Sequence, residues 1–328
     1  MQTQGIEYDS ERVGFRWEGG RRLADQEDVA YLLPSDKGEV DRLQMNHILA
    51  KMMLKGLFKS PIHDKLEKGI KVLDIGCGPG WWTLEMARLY PKSEFVAIDM
   101  ADVFVMDNKP PNVTFQISNA ASGLMFEDNT FDFVFQRYLV MGFTIEQYKQ
   151  SIKEIKRILK PEGIIEVLEL VIDYIDAGPA FQQIGTWITQ AMEARNLDCF
   201  IADHISTYFQ EEGLVKIKDI NYSIPIGRWG GEFGDRFLAI QRMALPAIKV
   251  MVTELTSATG EEYEATMTQA FDETTSHQTS TRFRLIHGMS ARTIKGSVLR
   301  CDTEVRLVTC ILKIRQQPAA YIICKDMH

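Results

Sequence analysis

The nine residues Val72-Leu-Asp-Ile-Gly-Cys-Gly-Pro-Gly80 carry glycine at every second position from 76 to 80, after an apolar run and before a helix-like one. Glycine lets a chain leave a strand sharply and enter a helix at once. One such unit is half of a βαβ crossover. The chain repeats the alternation. Apolar runs at Lys71–Ile75, Glu94–Asp99, Val113–Ser118, Phe131–Gln136 and Ile164–Leu170 read as strands. Helical spacing over Trp81–Tyr90 and a helix opening at Thr144-Ile-Glu-Gln147 separate them. Strands covered on both faces read as near-continuous apolar runs, and these do.

The flanks read differently. Asp36-Lys-Gly-Glu39 has the form of a helix start, and Met45, Ile48, Leu49, Met52, Met53 and Leu57 follow at helical spacing. The turn Lys160-Pro-Glu-Gly163 precedes the fifth strand. Beyond it, Gly178–Asn196 and Ile201–Glu212 read as helices and Leu214–Ile226 as a strand. Phe233–Leu255 reads as a helix that must bend or break at Pro246, and Gln278–His287 as a last strand. The expected fold is α/β, a Rossmann-like doubly wound and mostly parallel sheet, with an N-terminal helical lead-in and helical insertions in the C-terminal half. Residues 1–60 form the lead-in and helix, 61–288 the main domain, and 289–328 a C-terminal extension. That extension carries seven Lys/Arg against three Asp/Glu, a net of +4, which leaves −12 on residues 1–288.

Composition removes several function classes. The net charge of −8 lowers the expectation of a nucleic-acid partner, which normally requires a basic face. The five cysteines form no C-x-x-C pair and have no histidine at zinc-finger spacing, so no metal site is expected and the thiols read as reduced. Residues 1–20 are polar and lack the apolar core of a secretory signal. No run of about eighteen apolar residues occurs, so no membrane span is expected. The expected location is cytoplasmic or nuclear.

The glycine loop is informative in its spacing. A dinucleotide fingerprint needs its third glycine at position 81, which is tryptophan here. The Lys-Ser/Thr pair of a phosphate-binding P-loop is also missing after Gly80. Asp74, just before the loop, suits an ammonium group. Asp99, at the end of the second strand, is placed for the hydroxyls of a ribose. An amino acid joined to a nucleoside satisfies all three features.

Asp74–Gly80 with Asp99 resembles motif I and the second-strand acid of class I S-adenosylmethionine-dependent methyltransferases. The likeness extends through Tyr31-Leu-Leu-Pro-Ser-Asp36, Asp41-Arg-Leu43, His47, Lys51, Glu85-Met-Ala87, Arg137, Leu159-Lys-Pro-Glu-Gly163, Glu166, Glu169, Trp187 and Pro225-Ile-Gly-Arg-Trp-Gly-Gly231. These blocks are similar to the fungal LaeA-like methyltransferases over residues 20–288. The resemblance implies S-adenosyl-L-methionine as cofactor. It places its contacts at Asp74, Gly76, Cys77, Gly78, Gly80, Asp99, Met100, Asn119, Ala120 and Arg137. One position departs from the family pattern: Asn119 stands where an aspartate usually receives the adenine amino group. The resemblance implies methyl transfer but does not fix the substrate: the first reading is an unidentified acceptor, a small metabolite above all. Its alternative is a regulatory protein that binds the cofactor and a protein partner.

Other residues invite weighing. Cys77 reads as a space-filler, and Trp81 or Trp82 as a wall of the cofactor pocket or as helix packing. Glu166 and Glu169 are unusual on a central strand, three apart and so on opposite faces. Each reads as paired with Arg or Lys, or as near the substrate. The weak candidates for acid–base work are Glu169, His47 and His204, each set against a purely structural role. Arg42 reads as a cofactor or lid contact, or as an ion pair with Glu39.

Overall fold

The computed structural model describes residues 15–18, 21–24 and 37–291. Asp36 and residues 292–328 of the C-terminal extension lie outside the described residues. Strands β1 (Phe15–Glu18) and β2 (Arg21–Ala24) pair antiparallel as a hairpin. Helix α1 (Lys37–Leu54) and the short α2 (His63–Lys68) lead into the main sheet.

The βα alternation follows: β3 (Lys71–Ile75), α3 (Trp81–Leu89), β4 (Glu94–Asp99), β5 (Val113–Ile117), β6 (Phe131–Arg137), α4 (Ile145–Ile158) and β7 (Leu159–Ile175). Helices α5 (Pro179–Glu193) and α6 (Ile201–Glu211) precede β8 (Val215–Pro225). Helices α7 (Gly231–Ala247), α8 (Lys249–Leu255) and α9 (Gly260–Glu273) precede β9 (Ser280–Met289). The sheet has seven strands in the order β5-β4-β3-β6-β7-β9-β8. Neighbours from β5 to β7 are parallel, and β9 runs antiparallel to both β7 and β8. The expected architecture, a mostly parallel sheet with a helical lead-in and helical insertions, is the one found.

Local chemistry accounts for the helix starts. Thr144 and Thr259 each accept from the backbone N–H three residues on, and Gln147 and Glu262 return the bond to close capping boxes. The helix expected over 233–255 breaks at Ile248, two residues after Pro246. The turn expected at Lys160–Gly163 lies instead within β7, where a bulge with Glu162 at φ 63° keeps the strand paired.

The sheet is packed on both faces. Trp82, Met86, Phe95, Phe133 and Phe135 fill one side, with Trp82 stacked on Phe135 at 4.0 Å. Tyr148, Ile152, Ile155, Val134 and Val167 belong to the larger core on the other. Strand order reverses between the β3-β4-β5 and β6-β7 halves. Ligands of open α/β sheets sit at the carboxyl ends of strands at such a switch. Among the described residues, no helix is long and apolar enough to cross a membrane, and no group of three His, Cys, Asp or Glu could hold a metal ion.

Candidate active site

The loop after β3 is built by its glycines. Gly80 sits at φ 85° as the residue entering α3, and a Cβ there would fall 2.5 Å from the Phe115 ring. Both the left-handed backbone and the closeness of β5 therefore exclude other residues. The loop is fastened to β4: Cys77 N–H donates to Ile98 O at 3.0 Å, and Gly78 N–H donates to Asp99 Oδ2 at 2.7 Å. Asp99 Oδ1 accepts from Ala101 N–H at 2.9 Å. Burial pushes the Asp99 carboxyl above its ordinary range, and the backbone N–H groups of Ala101, Gly78 and Met100 pull it back. A carboxylate oxygen holding one amide still has lone pairs to offer.

These elements open onto a cleft. Its walls include Gly76, Cys77, Gly78, Asp99, Met100, Asn119, Ala120 and Arg137, together with Trp81. Eight of the ten expected cofactor residues are thus brought together. Gly80 and Asp74 are not on the wall. Gly80 shapes the loop. Asp74 lies behind it, 2 % exposed, with Oδ2 accepting from Thr83 Oγ1 at 2.6 Å. Its Oδ1 has no hydrogen-bond partner among the described residues. Burial drives the Asp74 carboxyl up to about 7, opposed by the Arg137 charge. Cys77 is buried and its thiol is pushed well up by burial, as an inert space-filler's would be.

Asn119 caps a short 3-10 turn, Ala120–Ser122, with Oδ1 accepting from Ala121 N–H at 3.0 Å. Arg137 reaches the cleft from the end of β6. Its Nη1 and Nη2 lie 3.4 Å from His47 Nδ1. His47 Nε2 meets Glu85 Oε2 at 3.0 Å, and Glu85 also receives Lys51. Burial, then the Arg137 charge, hold the His47 imidazole down to about 4. With Nδ1 facing a cation, His47 is a neutral brace for Arg137.

The other two acid–base candidates, Glu169 and His204, lie off the cavity walls. Glu169 is fully buried and lines neither cavity of the site. Its Oε1 accepts from Leu139 N–H at 2.7 Å and from the Tyr148 hydroxyl at 2.9 Å, and Oε2 from Val140 N–H at 3.3 Å. It therefore fastens the loop after β6 that walls the cleft. Glu166 does the same for the α1–α2 connection through Lys59 N–H and Ser60 N–H. Burial pushes both carboxyls up to about 7. Among the described residues neither is paired with a cationic side chain; backbone amides and hydroxyls meet each carboxyl instead. His204 sits on α6 with its side chain 54 % exposed, 3.8 Å from Asp198, and lines neither cavity.

A second cavity adjoins the first, and Leu43 and Tyr138 line both. It is framed by α1, the loop after β6, β7, α7 and Phe283 of β9, and its walls are mainly aliphatic and aromatic. Tyr138 holds φ 60°, a conformation rare for a side chain of this size. Sequence reasoning passed over Tyr138, Leu139 and Phe143, because a loop between a strand and a helix gives no periodic signal. The glutamate that ties this loop down was visible, but its partners were not. Arg42 pairs with Glu39, Nε to Oε2 at 2.8 Å, both side chains being buried.

The polar groups fit a nucleoside bearing an amino acid: an acceptor carboxyl at Asp99, a guanidinium at Arg137, a buried carboxyl with one free oxygen behind the loop at Asp74, and close backbone at Gly76 and Gly78. Comparison with known proteins agrees. Residues 72–163 match the family model described as a methyltransferase domain. The chain is 26 % identical over 224 residues to the methyltransferase pytC of Aspergillus terreus, covering 66 % of this chain and 67 % of that protein. It is 25 % identical over 206 residues to the N-methyltransferase sirN of Leptosphaeria maculans, 62 % of this chain and 72 % of that protein. It is 32 % identical over 158 residues to the secondary metabolism regulator laeA of Coprinopsis cinerea, 47 % of this chain and 39 % of that protein. The chain is an S-adenosylmethionine-dependent methyltransferase by its matched domain, and it resembles the class I enzymes and, among them, the LaeA-like ones.

Proposed function

We propose that the chain methylates a small-molecule acceptor seated in the second cavity, with S-adenosylmethionine held in the glycine-loop cleft. The observation that carries this reading is the shared wall: Leu43 and Tyr138 border both cavities. Two ligands bound side by side meet there. When bound in the glycine-loop cleft, the cofactor would supply an activated methyl group on sulfonium sulfur.

The protein's task is then mainly alignment, because the leaving group is already good. In this reading Asp99 accepts from the ribose hydroxyls. Arg137, braced by His47, holds the amino-acid carboxylate with a planar pair of donors. Asp74, its carboxyl lifted to about 7 by burial, would ionise against the ammonium group as that cation arrives behind the loop. Met100, Asn119 and Ala120 bound the adenine. Glu169 fixes Leu139 and Val140, and so keeps the common wall in place.

The regulatory alternative needs no acceptor cavity, and the second cavity favours the enzyme. The test is incubation with methyl-labelled S-adenosylmethionine and an extract, followed by separation of small molecules from protein. Label in a small-molecule fraction supports the reading. Label confined to protein, or transferred to nothing in any extract, contradicts it.

A further inference from the structure

The second cavity carries more information than its position. It has polar groups, yet no uncompensated charge faces it among the described residues. Its one cationic side chain, Arg42, is buried beside Glu39 and bonded to it. Its remaining polar side chains are uncharged: Asn46 of α1, Tyr138, Tyr174 of β7 and Gln241 of α7. Tyr174 donates to Gln241 Oε1 at 3.4 Å, which leaves the Gln241 amide hydrogens for a ligand. Gln241 itself is only 6 % exposed. The rest of the lining is apolar, including Ile172, Phe237, Ile240 and Phe283.

A carboxylate or phosphate entering this space gives up its hydration and meets no free counter-charge. That loss is large for an ion and small for a neutral apolar molecule. Neutral polar groups placed sparsely on an apolar wall orient a ligand without demanding charge.

We infer that the acceptor is an uncharged, predominantly apolar molecule, with a ring or chain packed between α7 and β7 and its reactive atom presented at Tyr138. This deepens the small-molecule reading above and rests on it for the methyl transfer. The binding claim stands on the cavity alone. Tyr138 borders both cavities and meets Phe283 edge-on at 5.9 Å. Burial lifts its hydroxyl to about 12, so it stays neutral and adds no charge at the junction.

The test uses the full chain and three probes: 1-naphthol, 1-naphthoate and S-adenosylhomocysteine, titrated calorimetrically at pH 7.5. Saturable 1-naphthol binding, with 1-naphthoate at least tenfold weaker, is expected. Ala244 lines the cavity from α7 and is half-buried. Ala244→Trp fills the space and should weaken 1-naphthol at least tenfold, while S-adenosylhomocysteine stays within twofold. If Ala244→Trp does not fold by circular dichroism, Ala244→Leu replaces it with the same direction expected. Naphthoate binding as tightly as naphthol overturns the inference, as does unchanged naphthol affinity in a folded variant. Naphthol binding without any S-adenosylhomocysteine binding supports the cavity assignment and counts against the cofactor-cleft reading.

Discussion

His47 Nδ1 lies 3.4 Å from both terminal nitrogens of Arg137, and this contact joins α1 to the cofactor cleft. The imidazole accepts from the guanidinium on one side and meets Glu85 on the other. A histidine held in this way cannot act as a base toward an acceptor, because its lone pair already faces a cation.

His47→Phe should therefore loosen Arg137 rather than abolish chemistry. The bond from the charged guanidinium is worth about 1.5–3 kcal/mol; because it positions Arg137 and does not touch the cofactor, roughly two- to tenfold of cofactor affinity should be lost. Nuclear magnetic resonance of the wild-type imidazole should show no protonation near pH 6.5, since burial and Arg137 hold it down to about 4. A His47 titration at 6.5 would refute the brace.

Stability should respond to pH through three buried carboxyls. Asp74, Glu166 and Glu169 are each pushed up to about 7 by burial. In the unfolded chain such groups ionise near 4. Between about pH 4 and 7 the unfolded chain has lost protons that the folded chain keeps. Their stabilising contribution is full below about 4 and is lost as pH rises through about 7. His47 works the other way over about pH 4 to 6.5, so the informative quantity is a difference. Glu166→Gln should remove one group's share, on the order of 3 kcal/mol over the whole window. Urea midpoints at pH 5, 6 and 7 should fall less steeply for the variant than for the wild type. Parallel curves would mean that Glu166 is ionised throughout.

Asn119→Asp should bind the cofactor at least as tightly as the wild type. Aspartate caps a turn as well as asparagine does, so the bond to Ala121 N–H survives. The second carboxylate oxygen adds a charged acceptor on the cleft wall. A tenfold loss of affinity in a folded variant would place adenine elsewhere.

Truncation locates the end of the folded sheet. Met289 of β9 pairs with Ile164 and Val215, and Ser290 exchanges bonds with Gly163 and Glu162. The strand therefore runs past the boundary expected at 288. A chain ending at Ala291 keeps these bonds and should retain S-adenosylhomocysteine affinity within twofold. A chain ending at Gly288 loses the Ser290 pair, about 2 kcal/mol of stability at ~1 kcal/mol per bond. Loss of binding in the 1–291 chain would assign residues 292–328 to the core.

What could be read from the sequence was what local chemistry encodes. The alternate glycines at 76, 78 and 80, the acid at 99 and the capping box at Thr144 all have short-range signatures. Glu166 and Glu169 stood out because buried strands seldom carry carboxylates. Their partners did not, since backbone amides 30 and 106 positions away leave no mark in composition. Tyr138 was invisible for a related reason: its positive φ is imposed by the fold around it. The bulge in β7 looked like a turn because Pro161 and Gly163 serve both.

The most direct measurement is calorimetric titration of S-adenosylmethionine into the wild type and Asp99→Ala. Asp99 faces the cleft and also holds Gly78 and Ala101, so its loss removes both a ligand contact and a fastening of the loop. Hydrogen bonds to a charged group are worth about 1.5–3 kcal/mol, or roughly ten- to more than a hundredfold in affinity. The account predicts one-to-one binding in the wild type and a loss of that size in a folded variant. Unchanged affinity in folded Asp99→Ala, or a wild type that binds NAD at micromolar concentration and ignores S-adenosylmethionine, would contradict it.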